Sequence, residues 1–152
     1  MDDILKQLLQ EEEKLQFAKF NEEDAWKLGS QLVELARSRK LPVTIDITRG
    51  THQLFHAALR GTSPDNDEWV KRKVRLVYRF GHSSFYVGQV LKSKGKTLEQ
   101  SYLVSESDYA PHGGCFPIIV KNTGIVGTVT VSGLPQEEDH KLVVEAIRKY
   151  LG

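Results

Sequence analysis

From Asp3 to Phe17, Ile4, Leu5, Leu8, Leu9 and Leu15 recur at mostly helical spacing, which predicts an N-terminal helix. Asn21 then opens a second helix as its N-cap, with Asp24 at the third helical position and Phe20 and Ala25 placed as a hydrophobic staple. Its apolar face runs Ala25, Leu28, Leu32, Leu35, Ala36. Arg37, Arg39 and Lys40 complement the negative helix end, and Pro42 prevents continuation. The period then changes to two: Val43, Ile45 and Ile47 alternate with Thr44, Asp46 and Thr48, the pattern of a half-buried strand. Arg49-Gly50-Thr51 turns the chain into a returning strand from His52 to about Leu59.

Ser63 as N-cap and Pro64 at the first helical position begin a long helix that runs to Phe80. Gly81 separates it from HSSFYVGQVLKSKG, a further helix ending at Gly95, and Gln100 to Ser105 is expected to form a short strand. FPIIVKNTGIVGTVTVSG reads as two strands around Asn122-Thr123-Gly124. After Gly133-Leu134-Pro135 comes a last helix, acidic first at Glu137, Glu138 and Asp139 and basic last at Arg148 and Lys149. Hairpins segregated from most of the helices predict an α+β domain on an antiparallel sheet. A doubly wound dinucleotide fold is not expected.

Composition narrows the function classes. The 152 residues suit one domain, with residues 1–20 as the N-terminal helix and 21–152 as the core, and such a domain buries roughly 70% of its unfolded surface. No apolar run approaches the ~20 residues that cross a bilayer, so no membrane association is expected. The acidic, amphipathic start lacks the pattern of a secretion signal, and a cytoplasmic location follows as the expectation. Cys115 stands alone, which excludes an internal disulfide and any multi-cysteine zinc cage. A net charge of +1 provides no global field for nucleic acid, so any anion site is local. Neither a P-loop nor a G-x-G-x-x-G string is present, and Ser132-Gly133 lacks the context of a nucleophile elbow. No catalytic motif is assembled, so the sequence leaves open whether the protein is an enzyme.

Five histidines raise the question of a metal. His52 and His56 lie on a strand, where four residues span roughly 13 Å, too far to share one ion. His82 stands beside Ser83 and Ser84 at a helix junction, where N-capping competes with ligand contact. His112-Gly113-Gly114-Cys115 reads as a tight loop entering a strand, with a buried structural thiol at Cys115. A Cys115/His112 dyad has one cysteine near one histidine as its sole support. His140 follows Asp139 in a helical first turn, where capping or surface exposure is expected. No protein-built metal site is predicted.

The helix DNDEWVKRKVRLVYRF carries more information. Trp69, Leu76, Val77 and Phe80 form its expected buried stripe, while Arg72, Arg75 and Arg79 line another face. Asp67 can pair with Lys71 and Glu68 with Arg72, whereas Lys73, Arg75 and Arg79 have no such helical partner. That face is either a solvated one or an anion clamp for carboxylate or phosphate.

GGCFPIIVKNTGIVGTVTVSGLPQEEDHKLVVEAI resembles the C-terminal signature of the GlcG/HbpS-like superfamily. FNEEDAWKLG, LFHAALRGTSPDNDEWVKRK and RFGHSSFYVG look like its branch labelled a heme-degrading-domain family, and the resemblance extends from Phe20 to Ile147. It implies a profilin-like five-stranded antiparallel sheet flanked by helices, often in a homo-oligomer, and relatives that bind heme or other tetrapyrroles. The positions that match are Asn66, Trp69, Arg72 and Lys73, His82 to Ser84, His112 to Gly114, and Ser132-Gly133 with Asp139. Combined with the basic helix, the candidate ligand-binding set is Arg72, Lys73, Arg75, Arg79, His82, Ser83, Ser84, His112, Gly113, Gly114 and Ser132. One reading is a domain that binds a small anionic ligand or tetrapyrrole, with heme as the implied cofactor, propionates on the basic helix and His82 or His112 near iron. The other is a non-enzymatic oligomeric scaffold or adaptor, in which the N-terminal helix and HSSFYVG supply subunit contacts. Heme degradation enters through the family label alone.

Overall fold

A computed structural model describes residues 3–152. In chain order the elements are α1 (Asp3–Lys14), β1 (Gln16–Phe17), α2 (Glu22–Ser38), β2 (Thr44–Arg49), β3 (His52–Ala58), α3 (Pro64–Phe80), α4 (Ser84–Lys94), α5 (Leu98–Tyr102), β4 (Cys115–Val120), β5 (Gly124–Ser132) and α6 (Gln136–Leu151). The local signals act as read. Asn21 and Asp24 form a reciprocal capping box at α2, and Gly81 closes α3 in the left-handed conformation at φ 73°.

The fold is α+β, with five strands in the order β1-β4-β5-β2-β3. The expected all-antiparallel sheet is in fact mixed, because β1 lies parallel to β4, with Gln16 opposite Ile119 and Phe17 opposite Val120. The N-terminal helix ends at Lys14 instead of Phe17, which frees these two residues to extend. The Phe17 side chain is then buried, and its carbonyl accepts the Lys121 N–H at 2.9 Å. Two residues are too few to display a strand period.

One sheet face packs on α2 and α6, where Leu28, Leu32, Ile45, Phe116, Val131 and Ile147 form the main core. The other face meets α3, and it is polar: Thr44, Asp46, Thr128, Thr130 and Ser132 are all buried. The expectation of a half-buried β2 therefore fails, because α3 roofs the side that alternation assigned to solvent. A second cluster, Leu76, Val87, Leu91 and Leu98, joins α3, α4 and α5. Leu98 also explains the correction at 100–105. Its burial and the Thr97/Gln100 capping box make a short helix where a strand was expected.

Candidate functional site

α3 carries Lys73 onto the polar sheet face. The expected stripe of Trp69, Leu76, Val77 and Phe80 is shifted: Val70, Lys73, Leu76 and Val77 are buried, whereas Trp69 and Phe80 are half-buried. Lys73 is 3% exposed and donates to Asp139 Oδ2 at 3.2 Å and to the Val131 carbonyl at 3.2 Å. Asp139, at the start of α6, also accepts the Leu134 N–H at 2.9 Å and the Gly133 N–H at 3.4 Å. Burial pulls the Lys73 amine down and pushes the Asp139 carboxyl up, and the attraction between the two opposes both shifts. Gly114 makes room for this pair. A Cβ there would stand 2.7 Å from Lys73 Nζ, and its φ of +137° disfavours any other residue.

Above the pair opens a cleft of about 320 Å³, between α3, the His112 loop and the turn from β5 into α6. An ammonium has three donors, and Lys73 spends two on Asp139 and Val131. Asn66 Oδ1 accepts the Ser63 N–H at 2.9 Å, which fixes the amide orientation and leaves its NH₂ group available. Gln136 repeats the arrangement: its Oε1 accepts the Gly113 N–H at 2.9 Å. Both amides line the cleft, as does Ser132, so its polar lining is rich in uncommitted donors. His112 packs edge-on to Trp69, with ring centroids 5.6 Å apart, and the Arg72 guanidinium lies 4.5 Å from the Trp69 ring centroid. Burial holds the His112 imidazole below its ordinary range against the opposing charge of Glu106, with smaller help from Lys73 and Arg72, so it is neutral near pH 7.

The other candidates serve the frame. Arg72 donates to the Glu106 carbonyl and Arg75 to the Asp108 carbonyl at 2.8 Å, and Arg79 lies over the Phe80 and Tyr109 rings. They hold the 103–110 segment against α3 and do not line the cleft. The expected helical pairs are rearranged: Lys71 binds Glu68, and Asp67 binds His56 at 2.8 Å. His82 bonds to Glu12 of α1 at 2.8 Å, Ser83 caps α4, and Ser84 Oγ accepts the Cys115 N–H at 3.0 Å. His140 is buried, contrary to the surface expectation, and bonds to Glu11 at 3.0 Å. Among the described residues no three His, Cys, Asp or Glu side chains form a metal-holding group. The residue reading missed Gln136, whose only sequence signal is its place in the first turn of α6.

The positions Asn66, Trp69, Lys73, His112, Ser132, Gly133 and Asp139, scattered along the chain, thus meet at one cleft. A family model described as "Haem degrading protein HbpS-like" matches residues 20–148. The chain belongs to the HbpS-like family. It is 54% identical to a UPF0303 protein of Streptomyces coelicolor over 146 residues, 96% of this chain and 92% of the relative. Among solved structures, this HbpS-like chain is similar to the Ybr137w protein at a TM-score of 0.91 and 34% identity, with 99% of this chain and 88% of that one covered. It shares its fold with PduOC, solved as a heme complex, at a TM-score of 0.70 and 18% identity, over 85% of this chain and 93% of that one.

Proposed function

We propose that this HbpS-like domain binds a small carboxylate-bearing molecule in the Lys73 cleft, with a tetrapyrrole such as heme as the favoured class. The carrying observation is the set of uncommitted donors: the third Lys73 N–H and the Asn66 and Gln136 amides line one pocket. A carboxylate satisfies several of them at once through charge-assisted hydrogen bonds. A cavity of about 320 Å³ lies at the small end of the ~300–1,000 Å³ typical of ligand sites, so it suits a compact acid or one edge of a macrocycle.

The residues fit heme in two respects. His112 is neutral, as an iron ligand needs to be, and no hydrogen bond to its ring occupies it among the described residues. The donors nearby suit a propionate. Bound heme would supply a redox-active iron; His112 would hold it, and Lys73, Asn66 and Gln136 would orient the acid side chain. The test is hemin titration followed in the visible spectrum. A saturable Soret shift is expected for the natural protein, lost in His112→Ala and weakened about tenfold in Asn66→Asp, which keeps the α3 cap but sets a carboxylate in the cleft. Featureless, non-stoichiometric binding in all three proteins would remove heme from the reading.

The scaffold reading keeps one observation in its favour. Trp26 is 63% exposed and Leu103 89% exposed, large apolar side chains at the surface that suit self-association.

A further inference from the structure

A second cavity, of about 710 Å³, lies between α3 and the β2–β3 hairpin. Its floor carries Asp46, 3% exposed, on the polar face of β2. One carboxyl oxygen accepts from Gln53 Nε2 at 2.6 Å, and among the described residues nothing donates to the other. The charged neighbours are engaged elsewhere. Lys71 binds Glu68, Arg75 donates to the Asp108 carbonyl, and His56 and Asp67 bond to each other. Asp46 therefore has one neutral donor and no cation bonded to it among the described residues; His56 acts on it only at a distance, and Asp67 opposes that attraction.

A buried carboxyl left in this way costs stability, and burial pushes it above the usual carboxylate range. The α3 side of the cavity is mixed: between Asp67, Lys71 and Arg75, whose charges are paired or engaged as above, Val70 and Val74 present aliphatic surface and Tyr78 an aromatic ring. One acceptor on the floor and the strip of Val70, Val74 and Tyr78 beside it define a ligand with a donor head and a short hydrocarbon body. We propose that this groove binds a primary organic amine, with the ammonium on Asp46 and the carbon chain along Val70, Val74 and Tyr78. The ammonium supplies both the missing cation and the missing donor. Its chemistry is opposite to that of the Lys73 cleft, where donors await an acceptor, so the two cavities take different ligands.

The full chain, labelled with ¹⁵N, is titrated at about pH 7 with n-butylamine hydrochloride and, in parallel, with n-butanol and sodium butyrate. Saturable amide shifts at Asp46, Gln53, Val70 and Val74 are expected with the amine alone. Asp46→Asn, nearly isosteric, weakens them by about tenfold or more, the worth of one charge-assisted hydrogen bond. Val74→Phe fills the groove without touching the carboxyl and produces the same loss, so it decides the matter if Asp46→Asn does not fold. The proposal is overturned if the amine gives no saturable shifts, if butanol or butyrate matches it, or if a folded variant binds undiminished. Shifts confined to the Lys73 cleft overturn it as well and leave the carboxylate reading untouched.

Discussion

Several side chains of chemical interest work as fasteners. Cys115 is fully buried with its thiol pushed up to about 12, chiefly by burial, and its N–H is accepted by Ser84. That suits the structural role expected for it, since the nucleophile is the thiolate and this thiol stays protonated at physiological pH. His82 ties the start of α4 to Glu12 of α1, and the hydrogen bond to Glu12 holds its imidazole above the ordinary value of 6.5, with burial opposing. Protonation therefore favours the folded state. The stabilisation is complete below about pH 6.5 and is lost as pH rises through the raised value. Thermal midpoints of the natural protein and His82→Gln, measured between about pH 5.5 and 8.5, should differ most at the acid end and converge toward the alkaline end. A gap that is constant across the range would mean that His82 acts by packing alone.

At the scale of elements, α3 divides its residues among three tasks. Val70, Leu76 and Val77 pack, Lys73 enters the polar layer, and Arg72, Arg75 and Arg79 hold the 103–110 segment. In the sequence Arg75 and Arg79, grouped with Lys73 by helical spacing and without an i,i+4 acid, read as either a solvated face or an anion clamp. Their partners are a carbonyl 33 residues away and aromatic rings, which local spacing does not reveal. The double variant Arg75→Ala/Arg79→Ala should leave carboxylate affinity at the Lys73 cleft within a few-fold while amide exchange in residues 103–110 accelerates. Affinity lost with exchange unchanged would return those arginines to the binding site.

For the whole molecule, the two apolar faces that suggested self-association are buried within the chain: α1 packs on α4 with Leu5 and Leu8 buried, Phe85 packs on His140, and Val87 joins the cluster of Leu76, Leu91 and Leu98. The exposed Trp26 and Leu103 now carry that expectation. Light scattering at micromolar concentration should give a mass above one chain, and Trp26→Ser with Leu103→Ser should lower it; a single-chain mass for the natural protein ends the scaffold reading. The chain by itself determined the α+β class, the α2 and α3 starts at Asn21 and Ser63, both hairpins and the HbpS-like kinship, because caps, turns and periodicity depend on residues a few positions apart. Only the tertiary structure decided the parallel β1, the helical 98–102 segment and the burial of the polar sheet face beneath α3. The site divides between the two: the resemblance named Asn66, Trp69, Lys73, His112, Ser132, Gly133 and Asp139, and their meeting in one cleft is tertiary. Lys73 and Asp139 are 66 positions apart, and whether a lysine on a helix faces solvent or a carboxylate is set by which surface the helix covers, a contact between distant segments that no local pattern encodes.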